Sequence, residues 1–292
     1  MSSSADTLQT FLLEEHAIRG HIIQLDASWR AVLSRHPYPP ALRDRIGELM
    51  AAAALLNATL HYQGSLSLQL QGNGPIEWLV VECNSDYGLR ATARWNGTVE
   101  YGTLASQIGQ GRLVITITPA QGDERYQAIV AADGNTVAAA LQDYFTRSEH
   151  LDTRLWLSAG EEHAAGLLLQ KTPDTESGDR DAWNRMIQLS GTLSGDELSG
   201  CSAGEIIKRL FHEEDVRIFE PIPVSFRCSC SRERVEHTLR MLGPGEIKPL
   251  LAEQGEVIVH CEFCNQRYAF DPVDIEQLFS AGVIEHASTT HH

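Results

Sequence analysis

Two tight cysteine pairs near the end of the chain limit what it can fold into more than any other feature. They are Cys228-Ser229-Cys230 and Cys261-Glu262-Phe263-Cys264, with thirty residues between them. Short pairs joined by a long loop suit one tetrahedral zinc ion, each pair supplying two thiolates from a local turn. Thiols two positions apart point to one side of an extended chain, so Cys228 and Cys230 can share a metal. They can also oxidise to a tight local disulfide, so the pattern reads both as a metal clip and as a redox switch. Four protein ligands leave no open position for water, which argues against a catalytic ion. A plain zinc ribbon that only staples a small domain is the competing reading. Arg227, Arg232, Arg234 and Arg267 flank the ligands and are expected to offset the thiolate charge and lower the thiol pKa values. His260, beside Cys261, is a minor alternative ligand. His237 reads as a surface residue.

Energetics decide what ligand loss would do. A structural zinc contributes about 10–16 kcal/mol of apparent binding free energy near neutral pH. A module of about seventy residues has only a few kcal/mol of its own. Oxidising the thiolates removes the ligands, so the module is expected to unfold and a segment docked on it to loosen.

The formal net charge of −16 argues against a sequence-independent grip on nucleic acid. The first residues, Met1-Ser-Ser-Ser-Ala-Asp6, lack the basic and apolar regions of a signal peptide. The longest apolar stretch, around Leu49 to Leu56, is too short to span a bilayer. A soluble, cytoplasmic protein with reduced thiols at rest is the expectation.

Along the first 172 residues the patterning implies an α+β domain, a largely antiparallel sheet with packed helices. Leu42, Ile46, Leu49, Ala53, Leu56 and Leu60 recur at helical steps over 40–60. Leu66, Leu68 and Leu70 alternate with Ser67, Gln69 and Gln71, which predicts a half-buried strand. Further strands are expected at 76–82, 88–95, 112–118, 125–131, 153–158 and 164–170, and a helix at 136–149. The polar run Thr172-Pro173-Asp174-Thr175-Glu176-Ser177-Gly178-Asp179 marks the end of this domain. A linker over 173–223 follows, with two or three short helices at 181–215 broken by Gly191, Gly195, Gly200 and Gly204. Such a stretch has the low local stability a switchable element needs. Residues 224–292 form the cysteine module.

Other motifs carry less. Gly200-Cys201-Ser202-Ala203-Gly204 matches a hydrolase elbow, but no strand precedes it. Ser202 with Glu205 is better read as a capping box. Gly72-Asn73-Gly74 lacks the third glycine of a dinucleotide loop and reads as a turn. His212-Glu213-Glu214-Asp215 lacks a second histidine and reads as a solvated helix end. Cys83 and Cys201 read as small, partly buried residues. No catalytic residue is assigned.

With those motifs placed, the chain resembles the heat shock protein 33 family of redox-switched bacterial chaperones, over essentially its whole length. The resemblance rests on the cysteine arrangement within Phe226-Arg-Cys-Ser-Cys-Ser-Arg232 and Cys261-x-x-Cys264. It rests also on Leu68-Gln-Leu-Gln-Gly-Asn-Gly-Pro75, Val114-Ile-Thr-Ile-Thr-Pro119 and Asp143-Tyr-Phe-Thr-Arg-Ser-Glu149. It implies an ATP-independent holdase, inactive when Cys228, Cys230, Cys261 and Cys264 hold one zinc ion. Under oxidants, Cys228 would pair with Cys230 and Cys261 with Cys264, the linker would unfold, and a homodimer would hold unfolding client proteins. Two rival readings stay open: a thiol-disulfide oxidoreductase using Cys261 and Cys264, and a zinc-ribbon binding module.

Overall fold

The computed structural model describes residues 6–60, 62–122, 125–132, 134–172 and 181–280. The polar boundary expected from Pro173 to Asp179 therefore lies outside the described residues. Contacts divide the chain into two compact units, Met1–Arg227 and Cys228–His292.

The first unit opens with an antiparallel pair, β1 (Thr7–Leu13) and β2 (Ile18–Leu25), joined by a turn in which Ala17 takes a φ of 53°. Helix α1 (Ala27–Leu33) leads to α2 (Pro40–Thr59), the helix expected from the leucine periodicity. Pro40 occupies its first turn, where a missing N–H costs nothing. Leu42, Ile46, Leu49, Met50 and the run Ala51–Ala54 are all fully or almost fully buried. A helix apolar on every side belongs in an interior, and α2 touches strands of both sheets described below.

A meander follows: β3 (Gly64–Gln71), β4 (Ile76–Asn84) and β5 (Gly88–Trp95), with Leu66, Leu68 and Leu70 buried as their alternation requires. Next come α3 (Leu104–Ile108), β6 (Arg112–Pro119), β7 (Tyr126–Ala131) and α4 (Val137–Tyr144), which runs into a π-turn at Phe145–Glu149. Strands β8 (Thr153–Ala159) and β9 (Ala164–Lys171) form a hairpin. Three short helices then appear, α5 (Ala182–Ser190), α6 (Gly195–Gly200) and α7 (Ala203–Phe211). Capping boxes start two of them, Ser194 with Glu197 and Ser202 with Glu205. The unit closes with β10 (Val216–Ile218), β11 (Ile222–Pro223) and β12 (Ser225–Phe226).

The expected antiparallel α+β class holds, with two six-stranded sheets rather than one. The first runs β10-β1-β2-β9-β8, with β11 also on β1; the second runs β12-β5-β4-β3-β6-β7. Only β12 on β5 is parallel among these pairs.

Alternation along β2 sends its residues to two different cores. Ile23 and Leu25 join α2 and the second sheet, whereas Ile18 and Ile22 face the other way. On that other face, Trp183, Met186, Leu198, Ile206, Ile207, Leu210 and Phe211 of α5–α7 cover Phe11, Leu13, Leu167 and Leu169. Gly20, paired with Phe11 across the two strands, makes room for the tip of the Phe11 ring there, since a Cβ at Gly20 would sit 2.0 Å from its Cζ. The Gln24 side-chain amide reaches across to donate to the carbonyls of Leu198 at 3.0 Å and Cys201 at 2.6 Å. Burial holds this helical cover down, while the entropy of ordering its glycines opposes it.

The second unit contains α8 (Arg232–Leu242), α9 (Pro244–Gln254), the hairpin β13 (Val257–His260) and β14 (Arg267–Phe270), and α10 (Pro272–Ser280). Among the described residues its core is six buried side chains: Leu239, Ile247, Val257, Phe270, Ile275 and Leu278. A core this small needs a further staple.

Candidate metal centre

The four cysteines lie on two turns of the second unit. Cys228 and Cys230 precede α8, whose N-cap is Ser231, accepting from the Arg234 amide. Cys261 and Cys264 sit in the turn between β13 and β14. That turn closes through the Asn265 amide donating to the Cys261 carbonyl at 2.8 Å and the Cys261 amide donating to Gln266 at 3.0 Å. Asn265 takes the left-handed conformation, with φ of 58°, that lets the chain reverse.

All four Sγ atoms lie within 4.8 Å of one another, and the thiols are half-buried. Cys228 and Cys261 are 3.6 Å apart, and Cys230 and Cys264 are 3.3 Å apart. Four sulfurs at about 2.3 Å from a tetrahedral zinc would lie about 3.8 Å from each other. The sulfur cluster therefore fits one such ion. His260 is exposed and does not join the cluster, and His237 is on the surface as expected.

Electrostatics within the cluster are divided. Burial works against ionising Cys228, but hydrogen bonds from the Cys230 amide and the neighbouring thiols outweigh it and bring its pKa down to about 7. Burial pushes the Cys261 and Cys264 thiols up. Accumulating charge on four adjacent sulfurs calls for a cation. Tyr268 Oη donates to Cys230 Sγ at 3.1 Å, a contact no spacing rule revealed.

The flanking arginines do something other than expected. Arg232 lies 4.3 Å over the Phe270 ring, donates to the Ala269 carbonyl and pairs with Asp274 at 2.8 Å. Arg267 pairs with Glu256 at 2.9 Å, and Arg234 donates to Ser229 Oγ at 2.7 Å. Arg227 falls in the first unit. The Arg232, Arg234 and Arg267 guanidinium groups brace the small fold through a ring, a carbonyl, a hydroxyl and carboxylates.

The remaining motifs resolve as follows. Ser202 caps α7 through Glu205, so the hydrolase-like pentapeptide is a helix start. Gly72 to Gly74 form a turn packed on Ile108. Cys83 is fully buried and Cys201 half-buried. The solvated reading of His212–Asp215 is overturned at Glu214, whose side chain is 9% exposed and bonds to His16 and Arg185. No local pattern signals this, because both partners come from distant sequence.

Comparison with known proteins decides the family. The profile described as Hsp33 protein matches residues 6–271. This chain belongs to the Hsp33 family. Among curated members, the 33 kDa chaperonin of Methylobacillus flagellatus is 47% identical over 290 residues, covering 99% of both chains. That of Nitrosococcus oceani is 48% identical over 290 residues, covering 99% of this chain and 100% of its own. In fold, the chain is similar to the crystal structure of the Hsp33 homologue of Thermotoga maritima. Their TM-score is 0.85 at 21% identity, over 96% of this chain and 99% of the other. Among the described residues, no helix is long and apolar enough to cross a membrane.

Proposed function

We propose that this Hsp33 family member is a cytoplasmic, ATP-independent holdase whose switch is the four-sulfur cluster. The observation that carries the reading is the convergence of Cys228, Cys230, Cys261 and Cys264 to within 4.8 Å beside a small core. Zinc, when bound there, supplies charge neutralisation and a crosslink between the two turns. In the reduced state the four thiolates serve as its ligands, the small core stays ordered, and α5–α7 cover the first sheet.

Oxidation then acts on the cysteines. Two thiolates of a pair give up two electrons, a sulfur–sulfur bond forms, and peroxide breaks its O–O bond and takes two protons from solvent to become two waters. Cys228 pairs with Cys230 and Cys261 with Cys264. The shortest contacts run between the turns, but those partners are 33 and 34 positions apart. Once the turns separate, partners two or three positions apart stay within reach, whereas the cross pairs must close a long loop. A sulfur held in a disulfide is no longer a thiolate ligand. The second unit loses its staple, α5–α7 loosen, and the apolar sheet face around Ile18, Ile22, Leu167 and Leu169 becomes available to unfolding clients. The oxidised protein acts as a homodimer. No enzymatic step is required, and the charge of −16 disfavours nucleic acid as a partner.

The test counts zinc and free thiols per chain before and after peroxide at mild heat, beside light scattering from a heat-unfolding client. The expected change is from one zinc and six thiols to no zinc and two, since four of the six cysteines are consumed. Client scattering is suppressed only afterwards. Equal protection before and after oxidation rejects the reading. Catalytic reduction of insulin would favour an oxidoreductase instead.

A further inference from the structure

The first unit holds a second chemically distinct place, a cavity of about 280 Å³ beside β7. Leu56 of α2, Leu66 of β3, Ile115 and Ile117 of β6, and Leu151 make an apolar floor. Tyr126, Tyr144, Phe145 and Glu149 also line it. The Tyr144 and Phe145 rings are 5.2 Å apart in an edge arrangement.

Hydrogen-bond bookkeeping at this polar side is one-sided. Tyr126 Oη donates to Glu149 Oε1 at 2.8 Å, and Tyr144 Oη donates to the same oxygen. The two hydroxyls are themselves 3.0 Å apart. A phenol has one proton to give, so both are consumed inside the triad. Thr59, also on the wall, spends its hydroxyl proton on the Leu56 carbonyl at 2.8 Å. Burial, and then the bond to Glu149, push the Tyr144 phenol well above its ordinary value, so it stays neutral. The triad thus presents acceptors and one negative charge. Among the described residues no ion pair to Glu149 is formed. Aromatic rings beside a carboxylate favour a cation, whose attraction to the ring faces adds to the charge. Gln170, elsewhere on the wall, gives one amide hydrogen to Thr153 Oγ1 at 2.9 Å, and at the triad itself acceptors without donors favour a ligand that brings its own N–H groups.

We propose that this cavity binds a protonated primary amine with an apolar body. Its ammonium group lies among Tyr126, Tyr144, Phe145 and Glu149, and its alkyl or aryl part fills the leucine and isoleucine floor. At about 30 Å³ per water-sized group, the cavity has room for roughly nine heavy atoms. The assignment is independent of the cysteine switch and of holdase activity.

The test is calorimetric titration of the reduced, zinc-loaded full chain with 2-phenylethylammonium, against neutral 2-phenylethanol and anionic 3-phenylpropanoate. The amine is expected to bind once per chain, at least tenfold tighter than the alcohol, and the anion not at all. Glu149→Gln, at an exposed position, is expected to weaken the amine at least tenfold and leave the alcohol unchanged. Nuclear Overhauser contacts from the phenyl protons to the Ile115 and Ile117 methyls locate the ligand without any substitution. Equal affinity for amine and alcohol, indifference to Glu149→Gln, contacts elsewhere, or no binding would each overturn the proposal.

Discussion

His16 and Glu214, 198 positions apart, meet through a 2.7 Å contact between His16 Nε2 and the Glu214 carboxylate, with both side chains more than nine-tenths buried. Arg185 of α5 donates to the other carboxylate oxygen at 2.9 Å. One acidic group thus fastens the β1–β2 turn, the first covering helix and the chain after α7.

Glu214→Ala removes the acceptor shared by the buried His16 and the partly exposed Arg185. The expected cost is about 2–3 kcal/mol, less than for a fully buried pair because Arg185 is partly exposed. Hydrogen exchange is the readout. Amides of α5–α7 should exchange faster while those of β3 to β6 do not change; acceleration spread evenly over the unit would contradict the fastening role.

Gly20→Ala forces a methyl group into the Phe11 ring and is expected to destabilise the first unit by about 1–3 kcal/mol. Adding Phe11→Leu should recover part of that loss, because the two changes share one space. Urea midpoints of the two single variants and the double variant measure the coupling. Strict additivity would rule out the clash as the cause.

His21 supplies a pH test. Burial, and secondarily the charge of Arg19, lower its pKa from 6.5 to about 3. The folded state therefore keeps the imidazole neutral where the unfolded chain takes up a proton. Its share of stability is complete above pH 6.5 and is lost as pH falls toward 3, at about 1.4 kcal/mol per pH unit. His21→Gln should flatten the decline in unfolding free energy between pH 6.5 and 5 by about 2 kcal/mol. Parallel pH profiles for the two proteins would show that His21 contributes nothing.

Cys264→Ser removes one of four sulfur ligands. Structural zinc sites contribute about 10–16 kcal/mol, far more than a module of this size holds by itself. Limited proteolysis should then cut within α8 to α10 while β3 to β9 stay intact, and a chelator should produce the same pattern in the unsubstituted chain. Cys83→Ser and Cys201→Ser should each retain one zinc per chain. Resistance of α8 to α10 in metal-free protein would show that the sulfur cluster is no staple.

Where one face of an element meets solvent, its sequence shows it. Strand β3 alternates cleanly and was legible for that reason. Strand β2 is buried on both faces, so Ile22 and Ile23 are equally apolar and period two vanishes. It escaped sequence reading together with its partner β1. The cysteine cluster was legible because each pair is local, but which sulfurs approach across the gap is set by tertiary packing. The arginines beside them misled for a related reason: nearness in sequence says little about where a long flexible side chain finds its partner. Glu214 failed in the opposite direction, since its acidic neighbours suggested water and its partners lie far away in sequence.

Lys171 at the end of β9 and Val216 at the start of β10 both belong to the first sheet, so the helices between them are moored at either end. Anything that lifts α5–α7 leaves them tethered at high local concentration over the surface they vacated. Re-covering is then a unimolecular event that needs no second molecule, and the chain carries its own means of being reset.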